Sequence, residues 1–188
     1  MKKNLKDYVV QFDNFIPKNI CDDTIKFMED VNFQQHEFYN PLTKSYGVRS
    51  GNKELDISWD NIPTKDTIHK HFWNAINEYQ KKFKFPWFDG WQGFTGVRFN
   101  KYKETRQMAL HADHIHTIFD GERKGIPMLS VLSTLNEDYK GGDFVLFDKH
   151  KIKFKTGDIL IFPSNFMYPH KVEPVTKGIR YSMISWVW

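Results

Sequence analysis

Hydrophobic and polar positions change their rhythm near residue 90. Before it, apolar residues recur at helical spacing. Ile20, Ile25, Phe27 and Met28 supply the apolar face of a helix that Pro17 or Asn19 opens and that runs to about Val31. Ile68, Phe72, Ala75, Ile76 and Tyr79 mark a second helix, capped by Thr64 or Asp66 and reaching about Phe83, with residues 86–90 as its breaker. A short strand is expected over residues 9–12, and residues 38–62 read as irregular, with turn signals at Asn40-Pro41 and Gly51-Asn52. From Trp91 onward the runs are apolar or alternating and rich in β-formers: residues 91–102, 128–135, 143–147, 159–162 and 180–188. Gly141-Gly142 and Lys155-Thr-Gly-Asp158 separate them as turns. Two helices followed by a run of strands predict an α+β chain, mainly β, whose strand part is a sandwich or jelly roll. With no linker or repeat in view, one domain is expected over residues 1–188, residues 1–90 as helical support and 91–188 as the β core.

Composition narrows the class. Aromatics reach 16%, with 17 Phe and 6 Trp, which suits an interior of broad flat side chains or a lined cavity. No stretch is long and apolar enough to cross a bilayer, and the basic start of the chain lacks the apolar segment of a signal peptide. Cys21 is the single cysteine, so no intrachain disulfide framework exists; a reducing, cytoplasmic setting is the expectation. The net charge is +4, from 27 basic residues scattered among 23 acids. That scatter favours a solvated lysine-rich surface over a nucleic-acid partner, and it would also draw an anionic co-substrate.

The chemistry-bearing residues follow in a fixed order: His111-Ala-Asp113, a lone His170, then Arg180 ten positions further on. In a strand, side chains i and i+2 share a face. His111 and Asp113 can then reach one metal together, and a distant strand can add His170. Two imidazoles and a carboxylate on one face of an octahedron leave three positions open, the arrangement of iron(II) oxygenases. Arg180 sits inside an apolar run, where an unpaired charge is expensive. Its planar guanidinium can grip a carboxylate through two parallel bonds, with Ser182 on the same face. The alternative for Arg180 is a structural ion pair with an acid at the core edge. His114 and His116 face the other way in a continuous strand, which suits contact with solvent or substrate. His36, His69, His71 and His150 have no partner pattern.

Several blocks carry a family resemblance. They are Arg98-Phe-Asn-Lys-Tyr102 before His111-Ala-Asp113; the runs 129–136, 139–147 with its Gly-Gly turn, and 155–162; and the closing pair 170–175 and 177–186. In this order, over residues 91–188 and more loosely the first strand and helix, the chain resembles the iron(II)/2-oxoglutarate-dependent dioxygenases of the prolyl 4-hydroxylase-like branch. The resemblance implies a double-stranded β-helix (jelly roll) with N-terminal supporting helices. It implies Fe(II) bound by His111, Asp113 and His170, 2-oxoglutarate and O2 as co-substrates, and ascorbate as reductant. Arg180 would clamp the distal carboxylate, where collagen-type members carry a Lys. Tyr102, nine residues before His111, matches a tyrosine whose hydroxyl contacts the co-substrate. Thr134 falls where many relatives place a tyrosine or another hydroxyl, and Phe144 would wall the pocket. For Tyr102, Thr134 and Phe144 ordinary sheet packing stands beside that reading. Trp186 matches a family Trp near the metal, or is simply core.

The implied reaction hydroxylates a C–H bond while 2-oxoglutarate is decarboxylated to succinate. A prolyl residue in a peptide or protein is the favoured substrate; a free amino acid, another protein side chain or an alkylated base stays open. Residues 114–127 and 38–62 would decide between them. Three rivals stand apart from this reading. A metal hydrolase would need a His-x-His-x-Asp-His order that this chain lacks. A cupin would need a Glu at a set spacing after His116, which is missing. A jelly-roll binding module without metal would have no reason to keep the triad and Arg180 together.

Overall fold

The computed structural model describes residues 4–40, 43, 45–47, 54–84, 93–113 and 126–188. A 3-10 turn at Leu5–Tyr8 leads into β1 (Val10–Phe12) and helix α1 (Lys18–Met28). The short strands β2 (Gln34–Gln35), β3 (Phe38–Asn40), β4 (Ser45–Gly47) and β5 (Asp56–Ser58) precede helix α2 (Lys65–Phe83). Ten further strands follow: β6 (Arg98–Tyr102), β7 (Met108–His111), β8 (Leu129–Thr134), β9 (Lys140–Gly141), β10 (Phe144–Leu146), β11 (His150–Ile152), β12 (Ile159–Pro163), β13 (His170–Val172), β14 (Val175–Lys177) and β15 (Arg180–Val187).

Two antiparallel sheets dominate. The larger has the order β1-β12-β8-β15-β6-β5-β2, the smaller β11-β10-β13-β7. Strands adjacent in either sheet are mostly distant in sequence, as β1 beside β12 and β7 beside β13 illustrate.

Period-two alternation divides the larger sheet into two working faces. Tyr181, Met183 and Val187 of β15, Leu129 and Val131 of β8, Ile159 and Ile161 of β12 and Phe99 of β6 pack with the helices. α1 contributes Cys21 and Met28 to that layer, and α2 contributes Ile68, Phe72, Ala75, Ile76 and Tyr79, the full set its periodicity predicts. Phe72 is wholly buried; truncation of such a side chain costs about 3–5 kcal/mol. The opposite face, with Tyr102, Leu132, Leu160, Phe162, Ile184 and Trp186, shares a second core with Met108, Phe144, Leu146 and Val172 of the smaller sheet. The two cores make a helix–sheet–sheet sandwich, mainly β, with the helices on one outer side.

Local departures from the sequence expectations have identifiable causes. α1 ends at Met28, short of Val31, and the Asn32 N–H beyond it is taken by Asp60 Oδ2 at 2.9 Å. Thr64 does precede α2 but caps nothing with its side chain, because its hydroxyl is bonded to Thr24 Oγ1 at 2.8 Å. The stretch 38–62 is not wholly irregular: β5 pairs with β6, Ser58 opposite Phe99. Three residues are too few to show a period, and the edge of β6 supplies what the local pattern lacks. Of the run expected from Trp91, the part described from Gly93 onward becomes a named strand at Arg98. The breaker at 86–90 lies outside the described residues. The 155–158 turn is as expected, and Gly157 has a physical reason: φ is +83° and an added Cβ would lie 2.1 Å from the Ile16 carbonyl oxygen.

Candidate metal and co-substrate site

β15 sets the positions of the polar residues on the inner face. Antiparallel register places Arg180 opposite Tyr102, Ser182 between Asn100 and Thr134, Ile184 between Arg98 and Leu132, and Trp186 opposite Ser130. The smaller sheet places His170 of β13 opposite His111 of β7. The two imidazoles therefore form a cross-strand pair, with ring centroids 4.3 Å apart.

Asp113 completes the group by a different route from the one expected. β7 ends at His111, so Asp113 lies in the following turn and does not share a strand face with it. Its buried carboxylate is aimed by the larger sheet instead. Oδ2 accepts hydrogen bonds from the Ser130 hydroxyl and, at 3.0 Å, from the Trp186 indole N–H. Ser130 is in turn bonded to the buried Ser164 hydroxyl. Oδ1 faces the imidazoles, 3.5 Å from His111 Nε2 and 3.7 Å from His170 Nε2.

Each imidazole is oriented from behind. His111 Nδ1 lies 2.7 Å from the Ala109 carbonyl and His170 Nδ1 lies 3.0 Å from the Tyr168 carbonyl. A carbonyl oxygen only accepts, so Nδ1 carries the proton and Nε2 keeps its lone pair for a ligand bond. Burial, reinforced by His111, pushes the His170 pKa down to about 4, which keeps that ring neutral. Ligand atoms of His111, Asp113 and His170 lie within 4.8 Å of one another, and among the described residues no other cluster of three or more such groups could hold a metal. Two neutral imidazoles and a carboxylate, each fixed by a second hydrogen bond, fit a divalent transition metal with open positions.

Arg180 lies in the same cleft and is 1% exposed. Nη1 donates to Ser182 Oγ at 3.0 Å and Nη2 to Thr134 Oγ1 at 3.4 Å. The guanidinium stands 5.0 Å over the Tyr102 ring, and Nε has no hydrogen-bond partner. No carboxylate lies within ion-pair distance of it among the described residues, so the structural ion pair has no acid there. Gly142 makes room for this side chain: its φ is +66°, and an added Cβ would come within 3.1 Å of Arg180 Cδ. Phe144 stacks obliquely on His170, with centroids 5.4 Å apart, and lines the cleft. Tyr102 is buried in the cleft wall, where desolvation raises its pKa.

The structure thus brings His111, Asp113, His170, Tyr102, Phe144, Arg180 and Ser182 to one cleft, with Thr134 bonded to Arg180 behind it. His114 and His116 lie outside the described residues. Sequence reasoning missed Ser130, Ser164 and Arg98. A polar residue in the inward phase of an otherwise apolar strand was the available signal for Ser130 and Arg98. Trp186, read either as a Trp near the metal or as simple core, is buried and also holds Asp113.

Comparison with known proteins defines the class. Residues 97–188, just under half of the chain, match the family model described as the 2OG-Fe(II) oxygenase superfamily. The matched family is one of iron(II)- and 2-oxoglutarate-using oxygenases, and the triad fits such a metal.

Among curated relatives, a PKHD-type hydroxylase of Aliarcobacter butzleri is 37% identical over 97 residues, covering 48% of this chain and 41% of the relative. One of Alteromonas mediterranea is 36% identical over 96 residues, covering 47% and 41%. The chain spans less than half the length of these relatives.

The fold resembles solved prolyl hydroxylases. The viral collagen prolyl hydroxylase of Paramecium Bursaria Chlorella virus-1, in its 2OG complex, superposes with a TM-score of 0.68 at 19% identity over 96% of this chain and 95% of that one. The prolyl hydroxylase of Trichoplax adhaerens, in complex with a hypoxia inducible factor oxygen degradation domain peptide fragment, gives 0.71 at 16% identity over 96% and 83%. No described helix is long and apolar enough to cross a membrane.

Proposed function

We propose that this protein is an Fe(II)- and 2-oxoglutarate-dependent dioxygenase that hydroxylates a C–H bond of a peptidyl proline. The two sheets are then the double-stranded β-helix of one domain spanning residues 1–188, with α1 and α2 as its outer support. The observation that carries the reading is a buried guanidinium with no acid in reach among the described residues, in the same cleft as an oriented His-Asp-His triad. A buried cation of this kind calls for an anion, and the distal carboxylate of 2-oxoglutarate is the anion that the matched family's co-substrate would offer.

In this reading His111, Asp113 and His170 hold iron(II) through Nε2, Oδ1 and Nε2. Arg180 binds the distal carboxylate, with Ser182 and Thr134 fixing the plane of the guanidinium. Tyr102 offers its ring beneath the guanidinium and a hydroxyl to the co-substrate, and Phe144 keeps water from that side of His170. Ser130 and Trp186 hold Asp113 so that one oxygen alone faces the metal. When bound, iron(II) and 2-oxoglutarate would supply the oxidising chemistry, in which substrate C–H, O2 and 2-oxoglutarate give C–OH, succinate and CO2, with ascorbate as the reductant. The peptide bound to the Trichoplax adhaerens enzyme and the names of the other neighbours support a peptide substrate.

The test is iron-dependent succinate formation against a panel of proline-containing peptides, with mass spectrometry for a product heavier by one oxygen. Succinate coupled to a +16 Da peptide (about the mass of one oxygen) supports the assignment. Coupled oxidation of a free amino acid and of no peptide would move the substrate class. Failure of the protein to consume 2-oxoglutarate with iron would overturn the activity itself.

A further inference from the structure

A second arginine lines the same cleft and has no role in the reading above. Arg98 sits on the inward phase of β6, opposite Ile184. It is only half-buried, unlike Arg180. Its Nε donates to Asn100 Oδ1 at 3.0 Å, and its guanidinium carbon stands 5.1 Å from the centroid of the Trp186 ring. Trp186 is the residue that holds Asp113, so Arg98 lies one side chain from the metal triad. Stacking on the indole and the bond to Asn100 together fix the guanidinium plane. No carboxylate lies within ion-pair distance of it among the described residues, and its two terminal nitrogens donate to no described residue.

Charge balance points to the missing partner. On the proposed function, the two positive charges of iron(II) and the one of Arg180 balance the charge of Asp113 and the two of 2-oxoglutarate. The imidazoles are neutral ligands. Arg98 is then the one cation of the cleft left over among its described lining residues. A substrate seated over the metal covers the mouth and desolvates this guanidinium. A neutral substrate would leave it buried and unpaired, which is costly; a carboxylate would pair with it in bidentate fashion.

We infer that Arg98 is a specificity-determining residue that selects a substrate bearing a carboxylate close to the carbon that is hydroxylated. The inference rests on the proposed function and narrows its substrate class to acidic ligands. Two sources have the required chemistry, an Asp or Glu side chain flanking the target residue in a peptide and the α-carboxylate of a free or C-terminal amino acid.

The experiment measures binding and needs no turnover. Protein loaded with Mn(II) and 2-oxoglutarate is titrated calorimetrically with matched pairs. One pair is a blocked proline pentapeptide with flanking Asp against the same peptide with Asn; the other is L-proline against L-prolinamide. Wild-type protein is expected to favour the acid over the amide at least tenfold in one pair, and which pair responds identifies the source. Arg98→Gln is expected to reduce that preference to within about twofold while the 2-oxoglutarate Kd stays within twofold of wild type. Arg98→Lys, which keeps the charge without the fork, should fall between them. An acid preference unchanged in both variants, no preference in wild type, or a tenfold loss of 2-oxoglutarate affinity in Arg98→Gln would each overturn the inference. Failure of wild-type protein to consume 2-oxoglutarate with iron would strike the proposed function instead.

Discussion

Replacing Arg180 with methionine separates a co-substrate clamp from a structural residue. The side chain is 1% exposed; its cation donates to Ser182 Oγ at 3.0 Å and Thr134 Oγ1 at 3.4 Å and stands over the Tyr102 ring. Two opposite charges about 4 Å apart gain roughly 4 kcal/mol at an effective dielectric near 20. Charge-assisted hydrogen bonds measured by substitution give about 1.5–3 kcal/mol each. A loss of about 2–4 kcal/mol in co-substrate binding follows, or roughly 30- to 1,000-fold in Kd. Methionine fills much of the same volume, and removing an unpaired buried charge offsets the two hydroxyls it leaves behind. The stability of the ligand-free protein should therefore change by less than about 1.5 kcal/mol.

The assay is thermal unfolding with Mn(II), with and without 2-oxoglutarate. At one hundred times Kd a ligand adds about 2.7 kcal/mol, and a chain of this size shifts by about 2–4 °C per kcal/mol. Wild-type protein should gain about 5–10 °C, and Arg180→Met should gain almost nothing at the same concentration while still responding to Mn(II). An equal ligand-induced shift in the two proteins, with the variant losing several kcal/mol of intrinsic stability, would refute the argument and return Arg180 to a structural role.

Three further outcomes are expected. Asp113→Ala removes the one carboxylate of the triad and should abolish iron binding and coupled succinate formation; wild-type rates in that variant would end the metal assignment. Trp186→Phe deletes the indole N–H donated to Asp113 Oδ2 and should weaken metal affinity by about 10- to 100-fold, read by competition with a chelating dye; an unchanged affinity would leave Trp186 as packing alone. Cys21 is fully buried, and burial pushes its thiol from the ordinary 9.0 up to about 12. The unfolded chain therefore releases this proton first as pH rises. Its stabilisation is complete below pH 9 and is lost between pH 9 and 12, by at most about 1.4 kcal/mol per pH unit. Denaturant unfolding of wild type against Cys21→Ala at rising pH should show this extra slope, and parallel curves would contradict it.

The helices and the strand phases were legible because they are written in local geometry. A helix repeats every 3.6 residues and a strand every two, so Ile68, Phe72, Ala75, Ile76 and Tyr79, or Arg180 and Ser182, share a face wherever the element lies. The candidate ligands were legible for a related reason, since few residue types bind iron and their order survives in the chain. The placement of Asp113 was not legible. Spacing alone cannot say that ladder pairing stops at His111, and the carboxylate is aimed by Ser130 and Trp186 from the other sheet.

Strand pairing leaves almost no local trace, because its hydrogen bonds join backbone groups that every residue possesses. Whether His170 faces His111, whether Arg180 meets an acid, and which arginine stands beside the triad are all decided by register between distant strands. From the sequence alone came an α+β chain, its helix faces, its inward strand positions and a set of candidate metal ligands. Only the tertiary structure decided that Arg180 is a buried cation with no acid in reach among the described residues and that Arg98 stands over Trp186, since both facts depend on which long-range neighbours the two sheets bring together.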